Sequence, residues 1–387
     1  MTGHRLFPSK RSDVAPFLAM DVLARAAELE KQGRRIIHME VGQPAAPAPK
    51  AARAAAAAAL VDGKLGYTEA RGISALRHRL VTHYHDTYGV RVPENRVMAT
   101  TGSSAGFNLA FLAAFDPGDR IVLTAPGYPA YRNIIKALGL VPVEVEVSAE
   151  TRWSLTPELI RKAEKEGPVA GVLVASPANP TGTMMTPEAL AELVTFCESN
   201  GIWFISDEIY HGLVFSGTQA TALSTSHNAI IINSFSKYYC MTGWRIGWMV
   251  LPECLVRPAE RIAQSLYISP PEISQIAAAA ALDAHEELDL VRAGYAENRA
   301  FLLEALPQIG FDDLLPVDGA FYIYANTSRF APVSLDFTQR MLEEAGVAAT
   351  PGADFDPVHG AEYTRFSFAG SLADMQEAVE RLKAWLG

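Results

Sequence analysis

Cysteine is scarce in this sequence, and its scarcity excludes two classes of protein. The three cysteines, Cys197, Cys240 and Cys254, form no Cys-x-x-Cys pair and accompany no cluster of histidines. Their spacing excludes a disulfide-stabilised secreted fold and a zinc site built from thiolates. We therefore predict free thiols, a cytoplasmic location and no bound metal.

Long apolar runs and an excess of positive charge are missing too. No stretch is long enough to span a bilayer, and the first residues contain no apolar signal segment, so no membrane partner is predicted. The 33 Lys and Arg residues are outnumbered by 43 Asp and Glu residues, which gives a formal net charge of −10. Nucleic acids and anionic membranes attract basic surfaces, so we also predict no nucleic-acid partner.

What the sequence does contain is an alternation of apolar runs and helical segments, which is typical of an α/β fold with a mostly parallel sheet. Seven predicted strands lie near Val97, Ile121, Val141, Val169, Ile202, Ile230 and Ile246. Such a sheet also allows a nicotinamide-dependent dehydrogenase, but the Gly-x-Gly-x-x-Gly motif is missing after the first strands. Beyond residue 271, long helices and short strands indicate a smaller second domain.

The most informative segment surrounds Lys237, which follows the apolar run at residues 230–233. A lysine at the end of a buried strand is poorly solvated, which favours the neutral, nucleophilic amine. Ser234, Ser236 and Arg245 flank it and supply the hydroxyl and guanidinium donors that usually hold a phosphate. An amine able to form a Schiff base beside a phosphate site suggests pyridoxal phosphate. A surface lysine in a serine-rich turn is the alternative.

Two further segments place polar side chains after apolar runs. Asp207 ends the run at 202–206, where open α/β sheets bind ligands, and its carboxylate could keep a pyridine nitrogen protonated. Tyr210 could donate to the phenolate oxygen of the same ring. Asn179 precedes a proline and is pushed toward extended geometry, from which its amide can project into a site. An acid at a helix start and an ordinary Asn-Pro-Thr-Gly turn are the alternatives.

The segments at 179–182, 206–210 and 234–247 together resemble the signature of the class I and II aminotransferases, which are fold-type I enzymes similar to aspartate aminotransferase. The resemblance runs from about residue 41 to the last helix. It implies a large domain with a mostly parallel seven-stranded sheet flanked by helices, and a smaller α+β domain. It places an N-terminal arm and part of the small domain at 1–47, the large cofactor domain at 48–272 and the rest of the small domain at 273–387.

By the same resemblance, other residues bind the cofactor. Gly102, Ser103 and Ser104 stand in a turn that opens a helix, where free N–H groups can receive the phosphate. Tyr128 resembles the aromatic residue that stacks on the pyridine ring. Tyr67 resembles the tyrosine that reaches the phosphate of the neighbouring subunit, which implies a homodimer with shared active sites.

The substrate site follows from the resemblance as well. Gly42 is expected to contact the substrate, and Asn179 is expected to contact both the cofactor and the substrate. Arg365 is expected to bind the substrate α-carboxylate, with a structural ion pair as the alternative. Ser104 stands where some aspartate-using members carry a basic residue, and the segments at 14–18 and 266–268 are apolar or aromatic. These features favour L-amino acids with neutral or hydrophobic side chains.

The reaction implied is ping-pong transamination between an amino acid and a 2-oxo acid. Lys237 is expected to bind the cofactor and to move a proton at the substrate α-carbon, with Asp207 and Tyr210 as the other catalytic residues. A carbon–sulfur β-lyase on the same scaffold needs almost the same residues. A regulator that binds pyridoxal phosphate without turnover is the remaining alternative.

Overall fold

The computed structural model describes residues 6–387, except for the side chain of residue 62. Its strands in chain order are β1 (Ile37–His38), β2 (Val97–Thr100), β3 (Arg120–Ala125), β4 (Val141–Glu146), β5 (Gly171–Ala175), β6 (Trp203–Asp207), β7 (Ile230–Ser234), β8 (Gly247–Val250), β9 (Tyr322–Asn326), β10 (Val347–Ala348), β11 (Thr350–Pro351) and β12 (Tyr363–Ser367). The α-helices are α1 (Leu18–Lys31), α2 (Lys50–Asp62), α3 (Ser74–Tyr88), α4 (Ser103–Ala114), α5 (Pro129–Ala137), α6 (Pro157–Glu164), α7 (Pro187–Ser199), α8 (Glu253–Leu266), α9 (Glu272–Ala281), α10 (His285–Gln308), α11 (Ser334–Arg340) and α12 (Leu372–Leu386).

Seven strands form the central sheet, in the order β2-β8-β7-β6-β5-β3-β4. All neighbouring pairs are parallel except those made by β8, which runs antiparallel to both β2 and β7. This arrangement confirms the predicted α/β fold, and every predicted run forms a strand. Strand β5 begins at Gly171, slightly after the predicted position at Val169.

Helices cover both faces of this sheet, which explains why its inner strands are apolar on both sides. Helices α4, α5 and α8 bury Phe107, Ile135 and Leu255 on one face. Helices α2, α3, α6, α7 and α9 pack on the other face, where Leu76 and Leu193 are fully buried. The alanine-rich α2 packs closely on α9, since small side chains let two helices approach one another.

A second core lies around the antiparallel sheet β11-β12-β9. Helices α10, α11 and α12 pack there, and the parallel pair β1-β10 joins the N-terminal segment to it. Helix α9, which the predicted boundary at 272 would assign to the small domain, buries Ala277 and Ala278 in the core of the large sheet. The division of the chain into domains at 47 and 272 stays a prediction.

The cysteines are all free thiols: Cys197 and Cys240 are buried, and Cys254 is exposed. Among residues 6–387, no helix is both long and apolar enough to cross a membrane. The side chains that the structure describes contain no group of three or more His, Cys, Asp and Glu residues that could hold a metal ion.

Candidate active site

A cavity of about 250 Å³ lies at the carboxyl ends of the parallel strands, between the central sheet and the antiparallel sheet. Strand β6 ends there with Asp207 and β7 ends with Ser234. Because β8 runs in the opposite direction, its first residues lie at the same edge, and this direction brings Arg245 to the cavity. The topology thus gathers residues that are distant in sequence at one edge of the sheet.

The Lys237 amine is held at the cavity wall. Nζ donates a hydrogen bond of 2.5 Å to the carbonyl oxygen of Gly42 and faces the rings of Tyr210 and Phe321 at 5.8 and 5.9 Å. Removal from bulk water and, to a smaller extent, the charge of Arg365 together lower the pKa of Lys237 to about 8, although the charge of Asp207 acts in the opposite direction. At pH 7 roughly a tenth of the amine is therefore neutral and nucleophilic, a much larger fraction than for a lysine of ordinary pKa.

Asp207 is buried at the end of β6. Its Oδ1 accepts a hydrogen bond of 3.0 Å from the backbone N–H of Ile209, and its Oδ2 accepts a short one from the Tyr131 hydroxyl. Burial raises the pKa of Asp207 to about 6, while these two donors and Lys237 lower it. A cationic group placed against this carboxylate would favour its ionised form. Tyr131 was not predicted, although it lies on α5 only three residues after Tyr128, the residue that precedes this helix.

Tyr210 pairs with a tyrosine from the second sheet. Its hydroxyl lies 2.8 Å from the hydroxyl of Tyr322 on β9, and both side chains are buried. Burial raises the pKa of Tyr210 well above its usual value, so the phenol remains a proton donor. Tyr322 was missed because it stands within an apolar strand, where an aromatic residue ordinarily indicates core packing.

Arg365 is buried in β12, and none of the described residues serves it as an acidic partner. Its Nη1 donates to Asn179 Oδ1 at 2.9 Å and its Nη2 to Thr350 Oγ1 at 3.2 Å, while its Nε has no hydrogen-bond partner. The guanidinium lies between the rings of Tyr322 and Phe355, 4.4 and 4.7 Å from their centres. None of the ion pairs within residues 6–387 includes Arg365. A buried cation without a counterion favours a ligand carboxylate in the cavity.

Polar donors surround another part of the cavity. Gly102 precedes α4 with φ of +76°, a backbone conformation that favours glycine, and the tip of the Arg245 side chain lies where a Cβ would stand. Ser103 occupies the first position of α4, where backbone N–H groups are free to bind an anion. Ser236 lies beside them, and its hydroxyl oxygen accepts a hydrogen bond of 2.8 Å from Ser234.

This set of residues fits pyridoxal phosphate. The helix start, the hydroxyls and Arg245 suit a phosphate, and Asp207 suits a ring nitrogen. Lys237 supplies a nucleophilic amine in the same cavity.

Most of the predicted site residues line this one cavity: Gly42, Ser103, Ser104, Tyr128, Asn179, Asp207, Tyr210, Ser236, Lys237, Arg245 and Arg365. Gly102 and Ser234 do not line the cavity, but each contacts a residue that does. Gly102 lies against Arg245, and the Ser234 hydroxyl donates to Ser236. Tyr67 does not line the cavity: its side chain is 84% exposed on the surface of the chain.

The cavity also contains residues that the sequence analysis did not select as site residues. Besides Tyr131 and Tyr322, they include Glu40, Asp354 and Phe355. None of these three stands in a motif, so only their position in the fold reveals them.

Comparisons with known proteins agree with this geometry. The family model described as Aminotransferase class I and II matches residues 34–382. The chain is 47% identical over 380 residues to the valine–pyruvate aminotransferase of Mycobacterium tuberculosis, covering 97% of each chain. It superimposes on the crystal structure of an aminotransferase from the same organism with a TM-score of 0.97, 46% identity and 99% coverage of each chain. It also superimposes on the Thermus thermophilus aspartate aminotransferase with maleate, with a TM-score of 0.93, 30% identity and coverage of 98% of this chain and all of the other.

Proposed function

We propose that this chain, which belongs to the class I and II aminotransferases, transfers the amino group of valine or a similar neutral L-amino acid to pyruvate. Enzymes of this family use pyridoxal phosphate to move an amino group between an amino acid and a 2-oxo acid. The observation that carries the proposal is Arg365, a buried guanidinium without an acidic partner in the same cavity as Lys237. It suits the one carboxylate that every α-amino acid and 2-oxo acid has.

The walls of the cavity support a neutral donor. Phe17, Met20 and Phe355 line it, and the ring of Phe17 lies 6.0 Å from that of Tyr128. Burying an apolar side chain against such a wall is favourable, at roughly 25 cal/mol per Å² of apolar surface. The relative from Mycobacterium tuberculosis named for valine and pyruvate supports the same substrate class.

The proposed roles follow from the contacts. Bound pyridoxal phosphate supplies an electron sink that stabilises negative charge at the substrate α-carbon. Arg365, oriented by Asn179, holds the substrate carboxylate, and Asp207 keeps a negative charge at the base of the cavity. The Lys237 amine would accept the α-proton of the amino donor in the first half-reaction and deliver a proton to the α-carbon of the product amino acid in the second, and its lowered pKa favours this exchange at neutral pH. Tyr210, whose phenol stays protonated, would donate a hydrogen bond to the phenolate oxygen of the cofactor ring.

A donor and acceptor panel tests the proposed function. With valine as donor, we expect the purified enzyme to form 2-oxoisovalerate and alanine in equal amounts over many turnovers when pyruvate is present. When pyruvate is omitted, we expect no alanine and no more 2-oxoisovalerate than one molecule per active site, which is the product of the first half-reaction alone. Equal yields are required because each amino group removed must reach an acceptor.

The same assay separates the alternatives. A carbon–sulfur lyase would release ammonia and pyruvate from cysteine-type substrates without any acceptor, and a regulator would show no turnover. Absence of alanine formation with every neutral donor would contradict the proposed donor class.

We also propose a cytoplasmic homodimer with shared active sites. The exposed apolar side chains next to Tyr67 support it; this Tyr67 surface consists of Leu60, Val61, Leu65, Tyr67, Leu266 and Ile268. Hydrogen bonds from the N–H groups of Gly66 and Thr68 to Glu272 and Ser269 hold its two segments together. Such a patch usually marks a protein interface. The free thiols support a reducing compartment.

A mixing experiment tests whether Tyr67 serves the neighbouring site. We expect Tyr67→Phe to weaken cofactor affinity by about tenfold or more, because a hydrogen bond to a charged group contributes roughly 1.5–3 kcal/mol. Lys237→Ala chains mixed with Tyr67→Phe chains should gain activity at limiting cofactor after subunit exchange. In the heterodimer one site carries both changes and the other carries neither.

The control variant is Tyr363→Phe, which alters a tyrosine outside the cavity and should leave cofactor affinity unchanged. If heterodimers form, as judged by native mass, and activity does not rise, Tyr67 does not complete the neighbour's site.

A further inference from the structure

Asp354 places a buried carboxylate in the wall of the cavity, and no motif includes it. It is 3% exposed, and its oxygens accept hydrogen bonds from the first two N–H groups of α1, from Leu18 to Oδ1 at 3.1 Å and from Ala19 to Oδ2 at 3.3 Å. Arg132 holds the same turn by donating to the backbone carbonyl oxygens of Asp354 and Phe355. The carboxylate is therefore fixed in position and cannot swing away from a ligand.

The charge of Asp354 is only partly neutralised. Of the three acids that line the cavity, Glu40 contacts His38 at 2.7 Å and Asp207 binds Tyr131, whereas Asp354 has no side-chain partner and no cation at ion-pair distance among the described residues. The start of α1 contributes a partial positive charge of roughly half a unit. Burial raises the pKa of Asp354, while the two N–H donors, Arg365 and Arg132 lower it.

Each positively charged side chain that lines the cavity already has a role in the proposed function. Among the described residues, its lining contains three cations: Lys237, Arg245 and Arg365. In the proposed function these meet the α-carbon, the cofactor phosphate and the α-carboxylate. A second carboxylate on a substrate would find no free cation and would approach the negative charge of Asp354.

We propose that Asp354 is a specificity-determining residue that excludes substrates with a second carboxylate, so that both the amino donor and the 2-oxo acid acceptor are monocarboxylic. The inference rests on the proposed function and extends it to the acceptor: 2-oxoglutarate is a poor acceptor for this enzyme. Juxtaposed like charges that are shielded from water repel each other strongly, which is enough to separate two acceptors.

The test compares two acceptors of similar length, with valine as donor at pH 8. One is 2-oxoglutarate, with two carboxylates, and the other is 2-oxohexanoate, with one. We expect wild type to prefer 2-oxohexanoate strongly in kcat/KM. We expect Asp354→Asn to raise the ratio of 2-oxoglutarate to 2-oxohexanoate by about tenfold or more, because the charge is lost and the shape is kept. The ratio does not depend on how much of a variant folds.

Two control variants separate charge from structure. Asp354→Glu retains the charge and should keep the wild-type ratio. Asp356→Asn alters a buried acid of the same turn, one that accepts hydrogen bonds from the N–H groups of Val358 and His359 but does not line the cavity, and it should also keep the ratio.

Three results would overturn the inference. They are efficient use of 2-oxoglutarate by wild type, an unchanged ratio in Asp354→Asn, and an equal gain for both acceptors, which would indicate that the cavity had merely widened through movement of α1. Failure of wild type to transfer the amino group of valine to pyruvate would instead contradict the proposed function, so the two failures are distinguishable.

Discussion

Replacing Lys237 with alanine is expected to lower the turnover of valine and pyruvate by roughly 10³-fold or more while the protein still binds pyridoxal phosphate. The loss is expected to be large because, in the proposed function, one amine both attaches the cofactor and moves the α-proton, and a positioned general base alone contributes about 10²–10⁴-fold. The phosphate donors, Ser236 and Arg245, remain in the variant, so affinity for the cofactor should persist. Steady-state rates and equilibrium dialysis against pyridoxal phosphate measure the two quantities.

Lys136→Ala is the matched control, since Lys136 is an exposed lysine on α5 and its loss should leave turnover unchanged. Borohydride treatment of the wild-type holoenzyme followed by peptide mapping should locate the reduced cofactor on Lys237. Recovery of the adduct on another lysine would refute the assignment.

Replacing Asp207 with asparagine is expected to slow the removal of the substrate α-proton by on the order of 10²-fold, comparable to the loss of one preorganised electrostatic group in other active sites. The amide has nearly the same shape but no charge, so the cofactor's ring nitrogen would lose its anionic partner. Exchange of the valine α-proton for deuterium, followed by NMR in single turnovers, reports this step directly. Binding of valine should change much less than the exchange rate.

Tyr131→Phe provides the comparison for Asp207→Asn. It removes the hydroxyl that donates to Oδ2 but leaves the carboxylate and its charge in place, so we expect a smaller decrease in exchange rate. If the exchange rate of Asp207→Asn lies within about threefold of the wild-type rate, the barrier differs by less than ~1 kcal/mol. That result would exclude Asp207 as the partner of the ring nitrogen.

Much of the site was predictable because its chemistry is concentrated in short segments that follow strands. Lys237, Asp207 and Asn179 each stand just after an apolar run, and parallel strands bring such positions to one edge of a sheet. The seven strands of the central sheet were equally predictable, since strands that are covered on both faces are apolar throughout. The family match over residues 34–382 confirms the resemblance that these segments indicated.

The contacts that orient these residues were not predictable, because they join residues far apart in the chain. Tyr131 reaches Asp207 across 76 positions, Tyr210 meets Tyr322 across 112, and Asp354 meets Leu18 across 336. No local pattern records such pairs: a tyrosine in an apolar strand has the same sequence signal whether it packs in a core or lines a site.

The sequence by itself determined the cofactor chemistry, the α/β architecture and the family, because these depend on residue types at short spacings. Only the tertiary structure decided that Arg365 lacks an acidic partner among the described residues, that Asp354 lines the same cavity and that Tyr67 is exposed on the surface of its own chain. The physical reason is that burial and charge pairing are properties of the packed chain. The free energy of a buried charge depends on every group that surrounds it, and those groups come from strands and helices that meet only when the chain is folded.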